Sequence, residues 1–110
     1  MTLDRFDVVI VPFPFSDRPV VRRRPALILS GSGWNAASGH LVCAMITSAR
    51  QSSWPLDVPV GDLSVAGLTA ACIVRMKLFT LDRHLVERRA GSLAEPDRAA
   101  VTRSLAELEL

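Results

Sequence analysis

Apolar and polar positions fall into short runs along this chain, and the runs alternate with clusters of proline, glycine and charge. Residues 7–15 open with Val8, Val9, Ile10 and Val11, four consecutive β-branched residues that suit a strand covered on both faces. The Pro-Phe-Pro-Phe that follows predicts an exit from the sheet, because proline cannot continue a central ladder. After a basic loop, residues 25–30 (Pro-Ala-Leu-Ile-Leu-Ser) read as a second strand, residues 31–39 as a glycine-bearing loop, and residues 41–47 as a third strand. Two apolar runs flanking one loop predict an antiparallel hairpin. That pairing sets the start of one strand beside the end of the other, so Arg24 comes close to Thr47.

Further along, residues 56–60 form a weakly alternating strand and residues 61–67 a turn-rich connection. In residues 71–78 the apolar Ile73, Val74, Met76 and Leu78 are interleaved with Arg75 and Lys77, which predicts a half-buried strand with a cationic outer face. Residues 84–89 suggest one more strand, closed by Gly91. From Glu95 the period changes: Pro96 suits a first helical position, Asp97 the first turn, and Val101, Leu105 and Leu108 recur at helical spacing. The fold class is therefore mainly β with a C-terminal helix, a small barrel or curled sheet with the helix packed upon it.

Size and composition narrow the classes. A chain of 110 residues with 49% apolar and 22% charged residues fits a single domain over 1–110. The longest apolar run is interrupted by prolines and falls short of the roughly 18 residues a membrane span needs. No signal-peptide pattern is present, so a cytoplasmic protein is expected. Cys43 and Cys72 each lie in an apolar stretch and read as reduced core thiols. No cofactor is expected and no metal ligand set stands out, with His40 and His84 far apart and without partners at useful spacing. The mean hydropathy of +0.27 is high for so small a core and predicts an apolar surface shared with a second copy. Phe13, Phe15, Trp54 and Phe79 are candidates for that surface or for a partner groove, with core packing as their default role.

The net charge of +2 says little until it is divided along the chain. Residues 18–77 hold seven cations against two carboxylates, while both ends are slightly acidic. Four of those cations stand between Arg18 and Arg24, a density that invites a phosphate backbone, although charge runs also serve as plain solvated surface. Arg24 precedes Pro25, which holds its backbone extended, and its planar guanidinium matches two phosphate oxygens. Thr47 and Ser48 end the neighbouring strand with hydroxyls suited to a phosphate oxygen or a ribose 2′-hydroxyl. Each residue also has an ordinary structural use, in an edge ion pair or a turn. Neither a glycine-rich phosphate loop nor a glycine-flanked serine elbow occurs.

Taken together, these segments resemble the MazF/PemK family of toxins from type II toxin–antitoxin systems. Residues 7–15 are similar to the family's first strand and its exit, Arg23-Arg24-Pro25-Ala26-Leu27-Ile28-Leu29-Ser30 to its Arg-Pro strand, and Met45-Ile46-Thr47-Ser48 to the strand beside it. Gly67-Leu68, Ile73-Val74-Arg75 and Thr80-Leu81-Asp82 resemble the later strand and short helical turn. The resemblance implies an SH3-like barrel, a homodimer, cleavage of single-stranded RNA without a metal, and a cognate antitoxin. It matches Arg24 and Thr47 to the family's central arginine and hydroxyl, as catalytic residues, and Arg75 to a cation used by some members; Arg22, Arg23, Ser48, Arg50 and Lys77 join Arg75 as candidates along the RNA. One departure stands out: the PemK-type branch carries a carboxylate two residues after the arginine matched by Arg75, where this chain has Lys77.

On that resemblance the expected reaction is attack by the substrate's own 2′-hydroxyl, leaving a 2′,3′-cyclic phosphate and a 5′-hydroxyl. Two alternatives stay open. One is a gyrase-poisoning relative, disfavoured because the C-terminus has neither the tryptophan nor the glycine those tails use; the other is a barrel that binds RNA or antitoxin without cutting.

Overall fold

The computed structural model describes residues 2–13, 22–50 and 52–109. Arg18 and Phe15 lie outside the described residues. Strands β1 (Asp7–Phe13), β2 (Arg22–Ile28), β3 (His40–Ser48), β4 (Val58–Pro59), β5 (Cys72–Asp82) and β6 (Arg88–Ser92) form one sheet in the order β4-β5-β3-β2-β1-β6. Every pairing is antiparallel. Helices α1 (Ser32–Ser38), α2 (Leu63–Ala66) and α3 (Glu95–Glu107) fill the connections and the C-terminal end. The sheet is a curled, half-barrel surface, as the short strands and terminal helix predict.

Alternation distributes the apolar side chains over two cores. Val8, Leu27, Ala44, Ile46 and Val74 share one face and meet Ala66 of α2, Leu93, and Val101 of α3, which is fully buried. Val9, Val11, Ala26, Ile28, Leu41, Cys43 and Leu81 share the other face with Leu3. Strands covered on both sides explain why β1 reads as an unbroken β-branched run instead of an alternating one. Cys43 and Cys72 are free thiols that pack with opposite cores, and burial pushes the Cys43 thiol up to about 12.

The sheet curls where its registers slip. Ala44 faces Leu78 but Met45 faces Arg75, so Met76 and Lys77 are extra residues on β5. Val8 faces Gly91 but Val9 faces Arg89, leaving Ala90 extra on β6. Such bulges add local twist and let a sheet bend around a core.

Several boundaries differ from the sequence reading, each for a tertiary reason. β1 continues through Pro12 and Phe13, facing Arg23 and Arg22, because its pairing with β6 has already ended at Ile10 and Pro12 meets only one ladder. β2 starts at Arg22, so Arg22, Arg23 and Arg24 belong to a strand and not to a loop. Residues 31–39 contain α1, whose first turn is capped from outside: the Ser32 N–H donates to Asp4 Oδ1 at 3.0 Å. Asn35, buried in α1, donates to the Leu3 and Ser30 carbonyls at 3.0 Å each, and Gly39 closes the helix at φ 71°. Residues 61–67 hold the single turn α2, capped by Asp62. The strand expected at 84–89 is displaced to Arg88–Ser92, since Asp82 accepts the His84 N–H and winds Arg83–Leu85 into a 3-10 turn. Pro96 is the second helical residue of α3, and Asp97 does more than face the helix dipole: its carboxylate accepts the Gly61 and Asp62 N–H groups at 2.9 and 3.0 Å.

Candidate functional site

The site is built on a fork in the sheet. β2 and β3 pair from Ile28↔Cys43 to Ala26↔Met45 and no further. Beyond that rung β2 follows β1, through Pro25↔Ile10 and Arg24↔Val11, while β3 follows β5, through Ile46↔Val74 and Thr47↔Ile73. Pro25, with no N–H to offer, stands where one of its two ladders stops. Extending the register by two residues would set Arg24 opposite Thr47. Partners across a ladder share a face, and so do residues two apart on a strand. Arg24 and Thr47 therefore project from the face of Ala26 and Met45, one on each prong. Thr47 is buried and Arg24 half-buried, each held by its own strand pairing.

The same alternation sorts the remaining cations. Arg22 lies on the Arg24 face and is exposed. Arg23 turns to the other face, where its Nε donates to both Glu87 oxygens at 2.8 and 2.6 Å; the pair is open to water and adds little stability. Ser48 also leaves the Thr47 face, and its hydroxyl accepts the Arg50 N–H at 3.2 Å to close a turn, with Arg50 exposed beside it. Lys77 is exposed in the β5 bulge. Arg24, Thr47 and Arg22 thus share one face of the fork, and Arg23 and Ser48 lie on the other.

Arg75 departs most from expectation. The cationic outer face predicted for β5 is split by the bulge: Lys77 is exposed, whereas Arg75 is buried at 6% exposure. Its Nε and Nη2 donate to Asp57 Oδ1 and Oδ2 at 3.2 and 3.0 Å, and Nη2 also donates to the Ser52 carbonyl. The Trp54 ring lies against the guanidinium, with Cζ 4.9 Å from the ring centroid. The segment 52–57 is wrapped around this one cation. Trp54 to Asp57 is a tight turn closed by Asp57 N–H donating to the Trp54 carbonyl at 3.3 Å, with Pro55 leading and Leu56 at φ 66°. Leu56 is thereby held in the left-handed region that favours glycine, at a cost of roughly 1 kcal/mol. The sequence reading missed Asp57 because a pair eighteen residues apart depends on the loop's path; the Trp-Pro turn was the available hint.

Hydrogen bonding from Arg75 holds the Asp57 carboxyl below the usual carboxylate range. A depressed folded pKa adds stability above the ordinary value and loses it as pH falls through the folded value. Asp57→Ala should cost about 3 kcal/mol at neutral pH, since it leaves a buried guanidinium unpaired. Urea unfolding of both proteins checks this: the gap between them should narrow below about pH 4, and a gap constant down to acid pH would contradict the pairing.

Among the described residues no three His, Cys, Asp or Glu side chains converge as a metal site requires, and no helix is long and apolar enough to cross a membrane. His40 and His84 are exposed near Asp82, whose Oδ1 lies 3.0 Å from His84 Nδ1.

This arrangement of strands belongs to a known class of small β proteins. Residues 4–108 match the family described as PemK-like, MazF-like toxin of type II toxin–antitoxin systems, and the chain belongs to that family. Among solved structures it is similar to MazF in the MazE–MazF complex of Deinococcus radiodurans, with 22% identity, a TM-score of 0.78 and 98% and 96% of the two chains covered. It is also similar to an endoribonuclease in complex with its cognate antitoxin from a mycobacterial species, at 17% identity and TM-score 0.76 over 96% and 92% of the chains. The toxin MazF-mt6 of Mycobacterium tuberculosis follows at 20% identity and TM-score 0.74, over 92% and 93%. These likenesses establish the fold. No curated protein sequence matches the chain.

Proposed function

We propose that this chain is a cytoplasmic endoribonuclease toxin that cleaves single-stranded RNA and is neutralised by a cognate antitoxin. The observation that carries the reading is the pair Arg24 and Thr47, on one face of the sheet and on opposite prongs of the fork. In the proposed step the ribose O2′ bonds to the adjacent phosphorus as the P–O5′ bond breaks. O2′ loses its proton, O5′ gains one, and the products are a 2′,3′-cyclic phosphate and a 5′-hydroxyl. Since the nucleophile is part of the substrate, neither activated water nor a metal is needed. Arg24 offers paired N–H donors to the phosphoryl oxygens as charge builds there, and Thr47 orients the phosphate or the attacking hydroxyl. A guanidinium presents donors and no acceptor, so the role given to Arg24 is that of an electrostatic stabiliser.

Arg22, Arg50 and Lys77, all exposed, suit flanking phosphates. Arg23 joins them only if RNA displaces Glu87, and Arg75 supports the site through its loop, being already paired with Asp57. Association of two copies extends the basic surface, and an acidic, apolar-studded antitoxin segment matches its charge. Incubation of the purified protein with mixed-sequence single-stranded RNA in EDTA tests the reading. Fragments ending in 2′,3′-cyclic phosphate are expected; retention of RNA without cutting would leave a binding protein instead.

A further inference from the structure

Trp54 and Trp34 are the two large aromatics that the fold leaves exposed among the described residues, and of the two it is Trp54 that stands beside the fork. It is 42% exposed. One side of its ring is committed to the Arg75 guanidinium at 4.9 Å. That cation is itself fixed by both Asp57 oxygens and the Ser52 carbonyl, and the backbone N–H of Trp54 donates to Asp57 Oδ2 at 2.9 Å. The indole is thus clamped from behind while much of it stays open to water. Its position is also set: Arg75 is the ladder partner of Met45, and Thr47 is the next residue on that face of β3.

From this the geometry points to Trp54 as a base-stacking platform: its outer ring face receives a nucleobase of the single-stranded RNA flanking the phosphate held at Arg24 and Thr47. This rests on the nuclease reading and deepens it by adding a contact to the base. An aromatic ring already ordered by an ion pair behind it loses little freedom when a base lands on it. Neutralised by Asp57, Arg75 does not compete for the phosphate, so the loop offers a π face and not charge. Stacking accepts every base, because each has a π face, and therefore supplies grip without sequence readout.

The test uses the full-length protein carrying Trp34→Phe, which leaves Trp54 as its single tryptophan. Its ligand is a mixed-sequence RNA oligonucleotide with 2′-O-methyl groups throughout, which lacks the nucleophile. Titration should quench Trp54 emission in step with binding followed by the anisotropy of an end label. Trp54→Leu should weaken binding about tenfold, the range found for single base–aromatic stacks, whereas Trp54→Phe should keep most of the affinity. With cleavable RNA, Trp54→Leu should raise KM by a similar factor and leave kcat nearly unchanged. Binding without quenching, or Trp54→Leu and wild type alike in affinity and KM while wild type still cuts, would overturn the stacking proposal alone. A wild type that neither binds this oligonucleotide nor cuts unmodified RNA would overturn it together with the nuclease reading.

Discussion

Arg24→Ala should slow RNA cleavage by about 10²–10³-fold, the loss typical of removing one donor that meets developing charge in a transition state. The melting temperature should hardly move, because Arg24 is half-buried and has no ion-pair partner among the described residues. Arg24→Lys sharpens the expectation: it keeps the charge but replaces a planar fork with a point donor on a mobile stem, and should recover only a minor part of the rate. Initial rates on a defined RNA, with circular dichroism to confirm folding, check both variants. Full activity in Arg24→Ala would remove the electrostatic basis proposed for catalysis.

The second large effect concerns the fold and lies away from the fork. Gly67 ends α2 at φ 73°, and a Cβ there would sit 2.1 Å from the Ala90 carbonyl oxygen. From the other side, a Cβ on Gly91 would meet the Val65 carbonyl oxygen at 2.4 Å. α2 and β6 therefore touch backbone to backbone, and neither surface can withdraw as a flexible side chain would. Gly67→Ala combines the clash with the left-handed conformation and should cost more than about 4 kcal/mol. For a domain near 100 residues that lowers the melting temperature by roughly 20 °C or prevents folding. Gly33→Ala is the contrasting case: it lies within α1 with nothing within 4 Å of its Cβ position. That variant should gain about 0.5–1 kcal/mol. Similar melting temperatures for the two would show that α2 does not pack on β6 this closely.

How far the sequence foretold this depends on the range of the forces involved. β1, β3 and α3 were legible because their apolar periodicity records local burial, and the register of the β2–β3 hairpin already brought Arg24 towards Thr47. α1 was not legible: three glycines and two serines within residues 31–39 argue for a loop, and the groups that overrule them, Asp4 and the Leu3 carbonyl, come from the N-terminal segment. The start of β2 was hidden by three successive arginines that read as a solvated loop, yet pairing with β1 keeps them in the sheet. The misplacement of Arg75 is the most instructive. Alternation gave its side of the strand correctly, but whether that side was open depended on where residues 52–57 folded. The sheet was written in local pattern; the site's surroundings were written in loops.

A double-mutant cycle on the cleavage rate tests most directly the proposal that Arg24 and Thr47 act on one phosphate from the two prongs of the fork. Residues that serve the same transition state are strongly non-additive. Arg24→Ala and Thr47→Val should each slow cleavage, and the double variant should be hardly slower than Arg24→Ala alone. A double variant slowed by the full product of the two single effects, or either single variant cutting RNA at the wild-type rate, would contradict it.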